Sequence, residues 1–402
     1  MSPRLMFVGL LFALSQSLTI PVRAKDIQPK PPSQAFEPAI LRLNYSPGKG
    51  SSSGMALLDL VLIPADGEPV GRRIELPTQA LSTELRKLYA QLSRQESLDV
   101  GNPESPSRLL YRLLVAPIEP EISSRGVNNL LIAADPGLQA IPFAALHDGT
   151  TYFGLRYGFS VTPSLALTAM APSTVKAPRK VALGASQFEG LAPLPLVPQE
   201  AAVAADNRPA NLYLNQAFTG QLLIAQAGDP GVDRVHVATH AEFLPGGPAQ
   251  ARLYTGMGPI SLRQFADLRS LRKNNPLDLI ALSACRTALG DTNSELGFAG
   301  LAIQSGARSA IGTLWYVDDV ATSAYFVLLY RLLDSGWKKS EALQEVRRSF
   351  AQGEVRLQGD TVALADGTVL IHSLTPTQQR RIANGLENPF FWSGIELLGT
   401  PW

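Results

Sequence analysis

The chain has 402 residues, of which 45% are hydrophobic and 17% are charged, a globular composition with enough apolar material for a large core. Its 35 basic and 34 acidic residues leave a net charge of +1. A net charge this small creates no overall electrostatic field that would attract polyanions. We therefore expect neither nucleic acid nor an anionic membrane surface as a partner.

The N-terminus has the features of a secretory signal. Arg4 provides the positive start, Leu5 to Ile20 form an apolar run, and the small residues Val22 and Ala24 come before a polar segment. This pattern predicts a signal peptide over residues 1–24, and hence export to the periplasm or the extracellular space. An uncleaved membrane anchor is the alternative. The apolar run is short for a spanning helix, so no stable membrane insertion is expected after cleavage.

Residues 25–37 are rich in proline and polar side chains and predict a flexible leader. Residues 38–127 are then predicted to form an N-terminal α+β part. Two strand-like runs flank a glycine- and serine-rich loop, and two leucine patterns with helical spacing follow. In chain order, these elements are expected at residues 39–43, 56–63, 79–95 and 106–118.

From residue 128 onward, short apolar strands alternate with helices. Continuous apolar strands of this kind are buried on both faces, and their alternation with helices predicts a three-layer α/β/α fold with a mainly parallel central sheet. The strands are expected at residues 129–134, 180–184, 212–214, 234–239, 277–282 and 309–314. The helices are expected at residues 198–206, 219–227, 261–269, 295–305, 318–334 and 339–351. Residues 354–372 predict an added β-hairpin.

Two of these strands lead into potentially reactive residues. His240 follows one strand, and Cys285, the only cysteine of the chain, follows the next strand. Ligands of parallel sheets bind beyond the carboxyl ends of the strands, so adjacent strands in register would bring imidazole and thiol to one rim. The histidine can then take the thiol proton, and the thiolate can attack a carbonyl carbon. The backbone N–H groups of Ala241 and Cys285 lie at suitable chain positions to bind the oxyanion.

Other assignments of the same residues remain open. A lone cysteine at the end of a buried strand can be a small core residue, and a histidine can merely satisfy a backbone group. One cysteine and four histidines argue against a structural zinc site. No phosphate-binding loop, dinucleotide fingerprint or serine-hydrolase elbow is present, so neither a metal nor another cofactor is expected.

Asp318 and Asp319 follow the strand after Cys285 and can line a pocket for a basic substrate residue. The stronger alternative is structural. It makes Asp318 the N-cap of the next helix and places Asp319 in the first turn of that helix.

Several residues near His240 and Cys285 are expected to have structural or supporting roles. His236, four residues before His240, is expected to be structural, and Glu200 is expected to stabilise a helix end. Glu242 and Arg286 flank the two reactive residues and can tune the pKa of the thiol. The glycine-rich segment 254–259 is interpreted as a plain loop.

Five segments resemble the CHAT family of caspase-like domains. The strongest are VHVATHAEF (235–243) and LIALSACRTALGD (279–291), which are similar to the histidine and cysteine motifs of that family. The others are LLIAADPGLQAIPFAAL (130–146), GFAGLAIQSGARSAIGTLWYVDD (297–319) and NPFFWSGIELLG (388–399). The resemblance extends over most of residues 38–400. It implies the fold of caspases, separases and gingipains, with His240 and Cys285 at the catalytic positions.

The resemblance further implies a cysteine endopeptidase that cleaves protein or peptide substrates through a thioester. The residue after the histidine is commonly glycine in this clan, whereas here it is Ala241, whose methyl group can narrow the cleft. A catalytically weak or inactive pseudoprotease that acts as a protein-binding module is therefore the alternative. Many relatives carry fused repeats that recruit a partner, so a regulatory protein partner is also an open expectation.

Overall fold

The computed structural model describes residues 36–47, 54–162, 164–171, 175–243, 251–261, 268–272, 275–284 and 297–402. The predicted signal peptide and nearly all of the predicted leader lie outside these ranges. Within them, none of the helices is both long and apolar enough to cross a membrane.

The strands of the described part form one eleven-stranded sheet and two three-stranded sheets. In chain order they are β1 (Pro38–Ser46), β2 (Met55–Pro64), β3 (Val70–Pro77), β4 (Asn129–Ala134), β5 (Gly158–Thr162), β6 (Lys180–Gly184), β7 (Leu212–Leu214), β8 (Arg234–Ala238), β9 (Ala241–Phe243), β10 (Ala251–Thr255), β11 (Gly258–Ser261), β12 (Leu279–Ser283), β13 (Ser309–Thr313), β14 (Arg356–Gln358), β15 (Thr361–Ala363), β16 (Val369–Ile371) and β17 (Ile395–Gly399).

The helices of the described part lie mainly between these strands. In chain order they are α1 (Ala80–Ser93), α2 (Pro106–Leu114), α3 (Glu119–Ser124), α4 (Phe153–Arg156), α5 (Val197–Ala204), α6 (Gly220–Gly228), α7 (Leu268–Arg272), α8 (Gly297–Gln304), α9 (Asp319–Asp334), α10 (Lys339–Ala351) and α11 (Pro376–Arg381).

The large sheet consists of two sets of strands that meet antiparallel. Its order is β3-β2-β1-β4-β5-β17-β13-β12-β8-β6-β7. Strands β13, β12, β8, β6 and β7 are mutually parallel, and β1, β4, β5 and β17 are parallel to one another. The two sets join where β17 pairs antiparallel with β13. The N-terminal strands therefore extend the same sheet that carries the predicted site.

Burial explains why the strands of the set that contains β12 and β13 are uninterrupted apolar runs in the sequence. All five residues of β12 and all five of β13 are buried. Because successive side chains of a strand point to opposite faces, this sheet is covered on both sides. Helices α5, α9 and α10 pack along the sheet, and α8 packs against β12, β13 and β17. The mixed α/β architecture with a mostly parallel central sheet is thus confirmed.

The strands predicted from residue 128 onward all form, with ends that differ by at most two residues. The sequence does not predict strands β5 and β17, because the glycine and polar residues of GFSVT and the glutamate of IELLG interrupt an apolar run. The helix predicted at 106–118 forms as α2 but ends early, at Leu114, and α3 begins only at Glu119, after the predicted range. Pro117 lies between them and lacks the N–H group that an uninterrupted helix requires.

Two further segments differ from their simplest interpretation. Residues 254–259 are not a plain loop, since β10 precedes them and Thr255 pairs with Gly258 at the start of β11. Gly258 has a φ of 115°, a left-handed value that glycine adopts readily. The segment predicted as a β-hairpin has one strand more than a simple hairpin, since residues 356–371 form the three-stranded sheet β14-β15-β16. The helix expected at 261–269 falls mostly on residues outside the described ranges.

Candidate active site

Strands β8 and β12 are neighbours, and they run parallel and in register. Ala238, the last residue of β8, pairs with Ser283, the last residue of β12. The Thr239 N–H then donates a hydrogen bond to the Ser283 carbonyl over 3.1 Å. The predicted adjacency of the two strands is therefore confirmed. Cys285 itself lies outside the described residues, so the predicted approach of its thiol to His240 stays a prediction.

A cavity of about 260 Å³ opens at this end of the two strands. Its floor is formed by residues that follow the strands, among them Thr239, His240 and Ala284, and Ala284 directly precedes Cys285. Other parts of the wall come from residues 192–197, the start of α9 and Arg381 of α11. The cavity thus lies beyond the carboxyl ends of parallel strands, where the fold class places its ligands.

His240 is oriented by two groups that precede α5. Its Nε2 lies 2.8 Å from the carbonyl oxygen of Ala192, and its ring centroid lies 4.7 Å from that of Phe188. Since a carbonyl oxygen only accepts hydrogen bonds, Nε2 carries the proton and Nδ1 is the basic nitrogen. Sequence reasoning missed Ala192, because a backbone carbonyl leaves no mark on residue type.

Ala241 opens strand β9, whose antiparallel partner is β10. The Tyr254 N–H donates to the His240 carbonyl over 3.0 Å, which makes Ala241 and Leu253 a non-hydrogen-bonded pair of this ladder. The N–H of Ala241 therefore points away from β10. Ala241 adopts an extended backbone without a positive φ, so the glycine common at this position in the clan is not needed for this geometry. Its predicted role in binding an oxyanion stays a prediction.

His236 is buried, as expected of a structural histidine, and its Nε2 lies 2.9 Å from the Glu200 carboxylate. The other Glu200 oxygen accepts a hydrogen bond of 2.7 Å from the Ser323 hydroxyl. The expectation that Glu200 stabilises a helix end stays a prediction. Although Glu200 lies in the first turn of α5, its side chain points into the protein and links that helix to β8 and α9.

Asp318 caps helix α9, as predicted. Its Oδ1 accepts hydrogen bonds from the backbone N–H groups of Val320 and Ala321, over 2.9 Å and 3.1 Å. Its Oδ2 lies 2.8 Å from Nε of Arg381, and Arg381 also forms an ion pair with Asp319. Burial raises the pKa of the Asp318 carboxyl, although the Arg381 guanidinium acts in the opposite direction. Both carboxylates and Arg381 line the cavity that contains His240.

Glu242 has a partner on β10 rather than in the cavity. Its carboxylate accepts a hydrogen bond of 2.6 Å from the Tyr254 hydroxyl, and this bond raises the pKa of Tyr254. Arg286, the other residue expected to tune the thiol, lies outside the described residues. In the described part of the chain, no group of three or more His, Asp or Glu side chains is arranged to hold a metal ion.

Comparisons with known proteins agree with this architecture. A family model described as the CHAT domain matches residues 104–400. A search of curated proteins finds no match. Among solved structures, two crystal structures of the Saccharomyces cerevisiae separase–securin complex are 10% and 9% identical, with TM-scores of 0.53 and 0.54. Both alignments cover 90% of this chain but only 30% of the other chain.

A crystal structure of the Arg-specific cysteine proteinase gingipain R is 10% identical, with a TM-score of 0.46 over 80% of this chain and 74% of the other. At such identities, the likeness to separase shows a shared fold and no more.

Proposed function

Because the chain belongs to the CHAT domain family and has a caspase-like fold, we propose that it is a cysteine endopeptidase with His240 and Cys285 as its dyad. One observation supports this proposal most directly, namely the register of β8 and β12. His240 and Cys285 are each the second residue after the paired positions Ala238 and Ser283. Since the two strands run parallel to this point, we expect the imidazole and the thiol to emerge at one rim.

In the proposed reaction, Nδ1 of His240 accepts the thiol proton of Cys285, since Nε2 is held by the Ala192 carbonyl. The thiolate attacks the carbonyl carbon of a peptide bond, and the N–H groups of Ala241 and Cys285 bind the resulting oxyanion. The imidazolium then protonates the leaving amine, which leaves a thioester. Water hydrolyses this thioester with His240 as the base, which releases the carboxylic acid and restores the thiol. This series of reaction steps requires no cofactor.

The substrate in this proposal is a protein or peptide, and the acidic pair Asp318 and Asp319 favours a basic side chain next to the cleaved bond. Both carboxylates line the cavity of His240, so they can select a cation that enters beside the dyad. The separase structures are complexes with securin. By analogy, we include a regulatory protein partner at the same rim in the proposal.

We further propose that residues 1–24 direct export and are removed. The support is the charged start, the apolar run and the small residues before the predicted cleavage point. The single cysteine is compatible with an oxidising compartment, because a chain with one thiol cannot form an intramolecular disulfide.

A pseudoprotease is the second candidate, favoured by the ion pairs that hold Asp318 and Asp319. Arg381 already occupies both carboxylates. A binding module would use the same rim without an active thiol. Partners recovered with the purified protein would then be unchanged in Cys285→Ser.

Thiol labelling separates the two candidates. We expect iodoacetamide to alkylate Cys285 of the 25–402 chain rapidly at pH 6 to 7, because an imidazolium beside the sulfur stabilises the thiolate. His240→Ala should slow labelling about tenfold or more, since a thiol of ordinary pKa is only a few per cent ionised at neutral pH.

His372→Ala is the matched control, because His372 is exposed and its ring nitrogen Nδ1 hydrogen-bonds to the neighbouring Ser373, away from His240 in the sequence. Its labelling rate should equal that of the wild type. Equal rates in all three proteins would contradict the dyad, and a wild-type thiol that does not react would favour the pseudoprotease.

A further inference from the structure

The acidic end of the cavity is occupied by a side chain of the protein itself. Arg381 contacts Asp318 through Nε and Asp319 through Nη2, so one guanidinium engages two adjacent carboxylates. The Asp318 and Asp319 side chains are 9% and 20% exposed, whereas that of Arg381 is 44% exposed. The carboxylates thus lie in the wall, and the arginine reaches them from the solvent side.

The carboxylates are fixed independently of Arg381. Asp318 is held by the two N–H groups that it caps at the start of α9, and Asp319 also accepts a hydrogen bond of 3.3 Å from Gln378. The pair therefore keeps its geometry when the arginine leaves. Such a preformed pair of carboxylates is a binding site for a guanidinium or ammonium group.

Arg381 lies at the C-terminal end of a short helix whose N-terminal end is fixed by a capping box. It is the last residue of α11, and Thr375 and Gln378 form a capping box at the start of that helix. The side chain can therefore swing out while the helix stays in place. The guanidinium is 44% exposed, so water competes for its charge and weakens both ion pairs.

We infer that Arg381 is an internal ligand of the acidic end of the cavity, and that a basic side chain of a substrate must displace it in order to bind beside His240. This inference rests on the proposed function for the identity of the incoming group. It makes Arg381 a determinant of substrate affinity. Removal of its guanidinium should uncover the site.

Binding can be measured without catalysis. In a Cys285→Ala background, the probe is N-acetyl-arginine amide, titrated by calorimetry or by NMR. Arg381→Gln should bind the probe about tenfold more tightly than the parent, because the guanidinium that competes for both carboxylates is gone. Arg380→Gln is the matched control, since the neighbouring Arg380 is exposed and bonds to Thr377 of its own helix.

Two further measurements test the site. Asp318→Asn added to Arg381→Gln should abolish the gain, and it keeps the helix cap because asparagine caps as well as aspartate. N-acetyl-glutamine amide, which lacks the cation, should show no gain in any variant. Equal affinity of the parent and Arg381→Gln for the arginine probe, or no binding by either, would overturn the inference.

These outcomes are separable from failure of the proposed function. If Cys285 proves unreactive but the arginine probe still binds more tightly to Arg381→Gln, the proposed peptidase function is wrong. The inference that Arg381 is an internal ligand is then still supported. If Cys285 reacts as expected while Arg381→Gln gains no affinity for the arginine probe, only the inference about Arg381 is overturned.

Discussion

His236 and His240 lie four residues apart, yet their surroundings allow only one of them to meet a substrate. His236 is buried against Glu200, Phe326 and Tyr330, whereas His240 is partly exposed at the cavity. Successive residues of a strand alternate between faces, so His236 points to the face that α5 and α9 cover. His240 comes after the strand end, where the chain can turn its side chain toward the rim.

Gly256 shows how closely the backbone packs near this rim. A Cβ atom at this position would lie 1.8 Å from the carbonyl oxygen of Asn215, so two main chains meet where no methyl group fits. We expect Gly256→Ala to lower the free energy of unfolding by about 1–3 kcal/mol or more, as overpacking does. Urea unfolding measures this change. Gly101→Ala is the control, because nothing lies within 4 Å of its Cβ position, and equal losses in both variants would contradict the explanation.

Glu396 is a buried carboxyl near the start of β17, at the junction of the two sets of strands. Burial raises the pKa of Glu396 to about 8, although the nearby Arg347 guanidinium acts to lower it. The native carboxyl therefore keeps its proton at neutral pH, whereas an unfolded chain releases it near pH 4.5. Between these two values the native state binds more protons, so stability falls as the pH rises.

We expect the free energy of unfolding to decrease between pH 5 and pH 8 by up to about 1.4 kcal/mol per pH unit from this group. Glu396→Gln should remove that slope, because an amide does not titrate. Urea unfolding at several pH values measures it. An unchanged slope in the variant would mean that other groups cause the pH dependence.

At the scale of elements, a buried charge cluster ties the start of β12 to its neighbours. Asp278 accepts from Lys339 of α10 over 2.8 Å and from Arg234 of β8 over 3.1 Å. Burial alone would raise the pKa of Asp278, but Lys339 and Arg234 together lower it below its ordinary value. The carboxylate is thus ionised and compensates two cations at the end of the sheet opposite His240.

Asp278→Ala should destabilise the protein by about 3–5 kcal/mol, because it leaves the ammonium of Lys339 buried without its counter-charge. Chemical denaturation measures the loss. Asp59→Ala is the control, since Asp59 pairs with Arg73 across β2 and β3 at the surface. Its effect should be much smaller because water screens an exposed pair. Comparable losses would show that burial of the Asp278 cluster is unimportant.

At the scale of the whole molecule, the first strands are part of the same sheet as the site. Strand β1 pairs with β4 from Pro38 to Leu43, although the family model matches only from residue 104. Helix α1 contacts the segment after β13 as well, since Tyr89 packs edge-on against Trp315 with ring centroids 5.8 Å apart. The segment before residue 104 is therefore a structural part of this fold.

We expect a chain of residues 104–402 to aggregate, whereas residues 25–402 stay monodisperse. Without β1 the strand β4 becomes an open edge with unpaired backbone groups, and leucines that β1 and β2 bury lose their cover. Size-exclusion chromatography and urea unfolding test this. A monodisperse short chain with the unfolding midpoint of the longer one would contradict it.

The sequence alone determined the alternation of strands and helices after residue 128, the cap at Asp318 and the positions of His240 and Cys285 just after two apolar strands. These features are local, because periodicity, capping residues and apolar runs are properties of neighbouring positions in the chain. The family resemblance carried by the segments around both residues added the fold.

Only the tertiary structure decided the rest. The inward direction of Glu200, the carbonyl of Ala192 on His240, the hairpin at residues 254–259 and the central place of β17 depend on partners distant in sequence. The same holds for Arg381, which lies 62 residues after Asp319 and meets it only because α11 returns to the start of α9. Residue type marks what a side chain can do, but packing selects the partner that it meets.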